Sequence, residues 1–378
     1  MNTLLRAACL GLLTFTLEIH GQVAPPVAPP RALEKDPAFQ GEAYRLMREI
    51  EARSQAYAHL EELCDGIGGR PTGSEALDRA QAWVKTKLRA FGITHVKEEP
   101  FTVPSGWVRG EAKARLLTAN GLDLRVAQIG WTPATPGSLR AEVVIVGGKT
   151  VDALKESLVK ARSKIALRGE LPPPPAGADK AAFQRDLRAL WDQAGLLAIL
   201  FPMSRTGNTL QAIGTPVRPS SQWTPAVPSA YLGKEHANLL RRLLARGQQV
   251  SLALELGGRL LPEPFQSRNL IVEIPGSERP QECVIVGAHL DSVDLATGAT
   301  DNGAGVAALL ELLRAVHASG LRPVRTLRVI FFSGEELESL GSRAYVDAHR
   351  TELANIQAVL VMDKGAGRII GWPTMGQE

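Results

Sequence analysis

From residue 268 onward the apolar positions form continuous runs separated by periodic stretches. The alternation begins at "RNLIVEIPG" (268–276), and "ECVIVGAHL", "TLRVIFF" and "QAVLVMD" are near-continuous in apolar residues. Such runs mark strands covered on both faces. Between them, 303–318 and about 339–352 read as helices. Strand and helix signals that alternate in this way predict parallel strands joined by helical crossovers. Upstream, 37–65 carries helical periodicity. "RPTGSEALDRAQAWVKTKLRAFG" places Ala76, Ala80, Trp83, Val84, Leu88 and Phe91 on one helix face, and Gly92 ends it. Thr72 and Glu75 stand in capping-box spacing before that helix.

Residues 116–265 have another character. Short β-rich runs ("RAEVVIVGG", "SKIALRG", "GLLAILFP", "QVSLALEL") alternate with turn-rich pieces such as "LPPPPAGA" (171–178). The expected organisation is therefore an α/β domain in two parts, 37–115 and 266–378, around a mostly β insert at 116–265. The fold class is α/β, with a mixed, mostly parallel sheet and helices on both faces.

Composition narrows the function. The chain has 378 residues, 44% apolar and 22% charged, as ordinary globular proteins are. Net charge is +4 and the basic residues are scattered, so no nucleic-acid footprint is expected. The start, "MNTLLRAACLGLLTFTLEIHGQVAPP", has Arg6, a short apolar core and then small and polar residues. That layout predicts a signal peptide over 1–24. A Pro-rich leader follows at 25–36, and secretion or periplasmic export is expected, without stable membrane insertion after the signal is removed. Three cysteines are too few for a disulfide framework. Cys64 and Cys283, which remain after signal removal, could pair or stay as buried thiols.

The chemistry is concentrated in "GAHLDSVDLATGATDNGAG" (287–305) and its counterparts. His289 and Asp291 follow "CVIVGA", Glu335 and Glu336 follow "LRVIFFSG", Asp363 ends "AVLVM", and Asp301 opens a helix. In open α/β sheets ligands bind at the carboxyl ends of strands, which is where these residues fall. Carboxylates gathered in a cleft repel one another and are costly to desolvate; a divalent cation removes that cost. Singly, each piece is ordinary: a His-x-Asp pair, an N-cap, a solvated Glu-Glu. Jointly they form a metal-ligand set. His289 is expected to ligate through one ring nitrogen. Asp291 is placed to accept the other ring N–H and fix the tautomer. Asp301 is the candidate bridging carboxylate between two ions. Glu336 is expected as ligand, Glu335 as general base, and Asp363 as the group that completes the first ion's set.

At these residues the sequence resembles the co-catalytic zinc aminopeptidase family, and within it the carboxypeptidase Q-like branch. The stretches that carry the resemblance are "GAHLDSVDLATGATDNGAG", "GLRPVRTLRVIFFSGEELESLGSRAY" and "VLVMD". The resemblance implies a phosphorylase/hydrolase-like fold and two zinc ions. His289, Asp301 and Asp363 would lie at one ion, Asp301 and Glu336 at the other, with Glu335 as base. It also implies that the insert is similar to a protease-associated domain. The family's second ion takes a further His well downstream of the Asp363 position. This sequence ends at Glu378, so a C-terminally truncated peptidase domain is the expectation. The expected function is a secreted zinc-dependent exopeptidase, aminopeptidase or dipeptidase, acting on short peptides, with room for a homodimer. The alternatives are a single-zinc glutaminyl cyclase-like enzyme and a catalytically impaired binding homologue.

Overall fold

Apolar side chains at 77, 80, 84 and 88 repeat at helical spacing, and all four are buried along the helix Glu75–Ala90. Its N-cap is Ser74, whose side chain accepts from the Leu77 amide, and Gly92 beyond its end takes a positive φ of 87°. The capping box read at Thr72 and Glu75 is therefore corrected. Ser74 directly precedes the first helical residue and caps it, while the buried Thr72 hydroxyl turns elsewhere. The computed structural model describes residues 37–118, 121–212, 227–363, 365 and 367. The expected signal peptide, the Pro-rich leader and the closing "RIIGWPTMGQE" lie outside the described residues.

The chain divides into two compact units, one comprising the segments up to Val103 and from Gln266, the other Pro104–Phe265. In the first, helices α1 (Pro37–Arg53), α2 (Ala56–Glu61) and α3 (Glu75–Ala90) precede strand β1 (Lys97–Val103). Strands β2 (Phe265–Ile274) and β3 (Arg279–His289) follow. Helix α4 (Ala304–Ser319), strand β4 (Arg325–Phe332), helix α5 (Leu340–Ala348) and strand β5 (Ile356–Val361) complete the order. The sheet order is β1-β2-β4-β3-β5. β3 is parallel to both β4 and β5, with α4 and α5 in the connections. β2 runs antiparallel to β4, unlike the parallel course expected from 268 onward. Only residues 275–278 join β2 to β3. A parallel course needs a crossover of roughly a dozen residues or more.

The continuous apolar runs have a direct cause. Val329 and Phe331 of β4 face a core with Leu77, Val84, Leu88, Leu309, Leu310 and Leu313 from the helices. Ile330 and Phe332, one residue out of phase, face Ile271, Ile285 and Tyr345 on the other side. Phe331 is fully buried. Phe331→Ala is expected to lower stability by about 3–5 kcal/mol, measured by urea unfolding; a loss below about 1 kcal/mol would contradict this packing.

His59 on α2 is 2% exposed, and neither ring nitrogen has a hydrogen-bond partner among the described residues. It stands edge-on to Trp83 at 6.1 Å and tilted to Phe91 at 5.7 Å. Burial, then Lys87 and Arg314, hold its pKa below 6.5 against the opposing pull of Glu62 and Glu311. The unfolded chain therefore binds the proton more readily. Stability should fall as pH drops below about 6.5, by at most about 1.4 kcal/mol per pH unit. Urea midpoints at about pH 7.5 and about pH 5.5 test this: His59→Phe should lose less stability between them than the parent.

The second unit holds an eight-stranded sheet. Strands 139–146, 165–168, 198–202 and 229–232 pair in parallel, and 251–256, 112–116 and 122–124 continue antiparallel from 139–146. Helices Val151–Lys160, Lys180–Gln193 and Lys234–Ala245 accompany them, where the sequence reading had a mostly β unit with turn-rich connectors. Their signals were present. Thr150 and Asp179 are N-caps, and Leu154 with Leu158, and Leu187 with Trp191, are buried at four-residue spacing. Cys64 and Cys283 are both free and buried. Among the described residues no helix is long and apolar enough to cross a membrane.

Candidate metal centre

The parallel register sets strands β3, β4 and β5 to end together: His289 lies opposite Phe332, and Gly287 opposite Val361. The chain leaves β3 through His289, Leu290 and Asp291, with the Leu290 amide donating to the Phe332 carbonyl at 2.7 Å. It leaves β4 through Ser333 and Gly334 into the turn that holds Glu335 and Glu336. It leaves β5 through Met362, whose amide donates to the Gly287 carbonyl at 2.8 Å, into Asp363. Asp301 stands in the short turn Ala299–Gly303 before α4, and its peptide bond to Asn302 is cis. The Asn302 side chain ties this turn to the β5 end: Nδ2 donates to the Met362 carbonyl at 2.6 Å, while Oδ1 accepts from the Gly305 amide.

His289 is the centre of the arrangement and is 2% exposed. Its Nδ1 lies 2.9 Å from the Asp291 main-chain carbonyl. A carbonyl only accepts, so Nδ1 carries the hydrogen and Nε2 is the nitrogen that faces the carboxylates. Nε2 is 2.9 Å from Asp301 Oδ1, 3.4 Å from Asp363 Oδ1 and 3.9 Å from Glu335 Oε2. Ligand atoms of His289, Asp301 and Glu336 all lie within 4.8 Å of one another. The structure thus groups Glu336 with His289 and Asp301 in one tight set. Asp363 reaches that set through its approach to His289. Glu335 faces it from slightly farther away.

One expected contact is different. The carboxylate of Asp291 stays 3.7 Å from His289 Nδ1, and its own main-chain carbonyl takes the ring hydrogen instead. The fully buried carboxylate accepts from the Thr72 hydroxyl at 2.7 Å. It also accepts from the amides of Glu335 and Glu336, both at 3.2 Å. Asp291 therefore anchors the turn that presents both glutamates. Burial works against its ionisation, but His289 and these donors keep its pKa below the ordinary value.

The surrounding charges are strongly coupled. Burial, with Asp291, Asp363 and Asp301 nearby, pushes Glu335 up to about 7 against the pull of His289. Burial and the same negative neighbourhood push Glu336 up to about 8. Burial opposes protonation of His289, yet the neighbouring carboxylates of Asp291, Asp301 and Asp363 hold its pKa well above 6.5. Burial is the first cause of both glutamate shifts and the crowded carboxylates add to it, a combination that a bound cation would relieve. Asp363 Oδ1 is buried and makes no hydrogen bond among the described residues. A buried carboxylate oxygen without a donor is costly, and a metal ion would satisfy it. Imidazole nitrogen and carboxylate oxygen are the donor types zinc binds. The residues fit a metal.

The overall backbone matches a peptidase M28 precursor from Shewanella amazonensis with a TM-score of 0.68 at 31% identity, over 88% of this chain and 75% of that one. Carboxypeptidase Q of Xenopus laevis is 30% identical over 333 residues, 86% of this chain and 68% of the relative. The chain belongs to peptidase family M28. The model of that family matches residues 269–368, the segment that carries His289, Asp301, Glu335, Glu336 and Asp363. Mouse carboxypeptidase Q is 30% identical over 83% of the chain, and the chain spans 65% of that relative's length. A zinc aminopeptidase from Bacillus subtilis shares the fold, with a TM-score of 0.58 at 23% identity over 82% of this chain and 68% of that one.

Arg70, Thr72 and Asn302 had no place in the sequence reading of this M28 site. Asn302 adjoins Asp301 and could have been suspected. Thr72 and Arg70 lie more than 200 residues from their partners, Asp291 and the loop after it, and no local pattern links them. His349 has a structural place: it is buried, stacked on Tyr345 at 4.2 Å and 2.8 Å from Glu99.

Proposed function

We propose that this M28 chain is a secreted zinc-dependent exopeptidase that hydrolyses short peptides. The observation that carries the reading is the close set of buried His289 with half-buried Asp301 and Glu336, with Asp363 and Glu335 beside it, at the end of three strands. His289, Asp301, Glu336 and Asp363 are the residues that would hold zinc, with Asp301 shared where two ions bind. Zinc supplies Lewis-acid polarisation of the scissile carbonyl and lowers the pKa of water at the site. Glu335 is the general base: it takes the proton from the attacking water and delivers it to the departing amine nitrogen. Asp291 holds the Glu335–Glu336 turn through two amides, so the base and a ligand keep a fixed relation. The anionic cleft suits a substrate with a free α-amine. Relatives named carboxypeptidase Q support a peptide substrate. Secretion rests on the signal-like pattern of residues 1–24. The 104–265 unit corresponds to the insert read as similar to a protease-associated domain.

The test is hydrolysis of a panel of dipeptides and aminoacyl anilides by the purified zinc-loaded chain. Turnover that is lost with a chelator and restored by zinc is expected. A zinc-saturated protein that cleaves none of the panel would overturn the assignment.

A further inference from the structure

We infer that the segment 68–72 is a positioning strap for the metal centre. Arg70 fixes the loop between Asp291 and Asp301, and Thr72 fixes the carboxylate that carries the glutamate pair. The inference rests on the metal-centre reading above.

Arg70 is 0% exposed. Its Nε donates to the Leu290 carbonyl at 2.9 Å. Nη1 donates to the carbonyls of Thr297 at 2.6 Å and Gly68 at 2.7 Å, and Nη2 to that of Gly298 at 3.1 Å. Its main chain is paired with Ser292 in both directions: the Arg70 amide donates to Oγ, and the Ser292 amide donates to the Arg70 carbonyl. One guanidinium thus closes a loop that begins beside His289 and ends three residues before Asp301. The Gly298 carbonyl also accepts from the Gly303 amide at 2.7 Å, which carries the restraint across the turn that holds Asp301. The loop and strap are in close contact. A Cβ on Gly69 would lie 2.6 Å from the Ala296 carbonyl oxygen, and one on Gly298 would lie 2.7 Å from Arg70 Nη2. Three of the guanidinium's bonds reach carbonyls spread over 290–298, and only a planar fork of donors can do this at once. A lysine ammonium offers its donors from a single point.

Thr72 acts on the other side. Its hydroxyl donates to Asp291 Oδ2, and the same carboxylate receives the Glu335 and Glu336 amides. Without the hydroxyl, Asp291 keeps two amide donors, so the fold persists while the carboxylate loses the bond that fixes its rotation. Removal of an outer hydrogen bond of this kind typically costs about 10–100-fold in metal affinity.

The experiment measures zinc affinity of the full chain by competition with a chromophoric chelator, and the visible spectrum of the cobalt-substituted protein. The variants are Thr72→Val, Thr72→Ser and Arg70→Met. Parent zinc binding, with a loss of about 10–100-fold in Thr72→Val and recovery in Thr72→Ser, supports the strap; an altered cobalt spectrum in Thr72→Val supports it too. Equal affinity and spectrum in parent and Thr72→Val overturn the strap while the metal reading stands. Equal losses in Thr72→Val and Thr72→Ser also overturn it, since the hydroxyl would then not be the cause. A parent chain that binds no zinc overturns the metal reading and the strap with it. Arg70→Met should lose affinity as Thr72→Val does; if it fails to fold, the threonine pair decides.

Discussion

Glu335→Gln should lower peptide hydrolysis by about 10²–10⁴-fold while zinc binding is retained. The separation follows from position. Ligand atoms of His289, Asp301 and Glu336 form the tight set, whereas Glu335 Oε2 stands 3.9 Å from His289 Nε2. Its amide is already held by Asp291, so a glutamine of the same shape keeps the turn in place. What the amide side chain cannot do is accept a proton from water and return it. The measurement is kcat/KM on a cleaved dipeptide together with zinc content per chain. A variant at full rate would remove Glu335 from the chemistry. A variant that also loses zinc would instead make Glu335 a ligand.

His289→Ala should cost more than any change in the supporting hydrogen bonds, so a loss of zinc affinity beyond about 100-fold is expected. His289 is the one nitrogen donor in the set; the groups around it, Asp301, Glu336 and Asp363, are all carboxylates. Its orientation is fixed on both sides, by the Asp291 carbonyl at Nδ1 and by the strand end it occupies. Alanine leaves those carboxylates to repel one another with no imidazole to share the ion. Chelator competition on parent and variant gives the ratio directly, and unchanged affinity would place the metal elsewhere.

Much of this site was legible because strand ends are legible. The apolar runs before His289 and Glu335 are continuous since both faces of the sheet are covered there, as Phe331 and Ile330 demonstrate on opposite sides; the run before Asp363, expected to be covered as well, lies on the edge strand Ile356–Val361 and is largely exposed. A buried strand that stops at an ionisable residue points that residue at the ligand edge. The partner of His289 Nδ1 was not legible. The His-x-Asp spacing suggests the Asp291 carboxylate, but the chain turns after β3 and brings the main-chain carbonyl closer. That frees the carboxylate for Thr72, which lies 219 residues away in sequence. The direction of β2 was missed for a similar reason. Its apolar run looks like that of the parallel strands, and only the short connection to β3 reveals the reversal. In the 104–265 unit the helices were overlooked because proline-rich and charged connectors masked their caps at Thr150 and Asp179.

Diffraction from zinc-saturated crystals at the zinc absorption edge tests the account most directly. It predicts an anomalous peak about 2.0–2.2 Å from His289 Nε2, bounded by the carboxylates of Asp301 and Glu336 or Asp363. Saturating zinc with no peak there, and His289 Nε2 still bonded to Asp301, would contradict it.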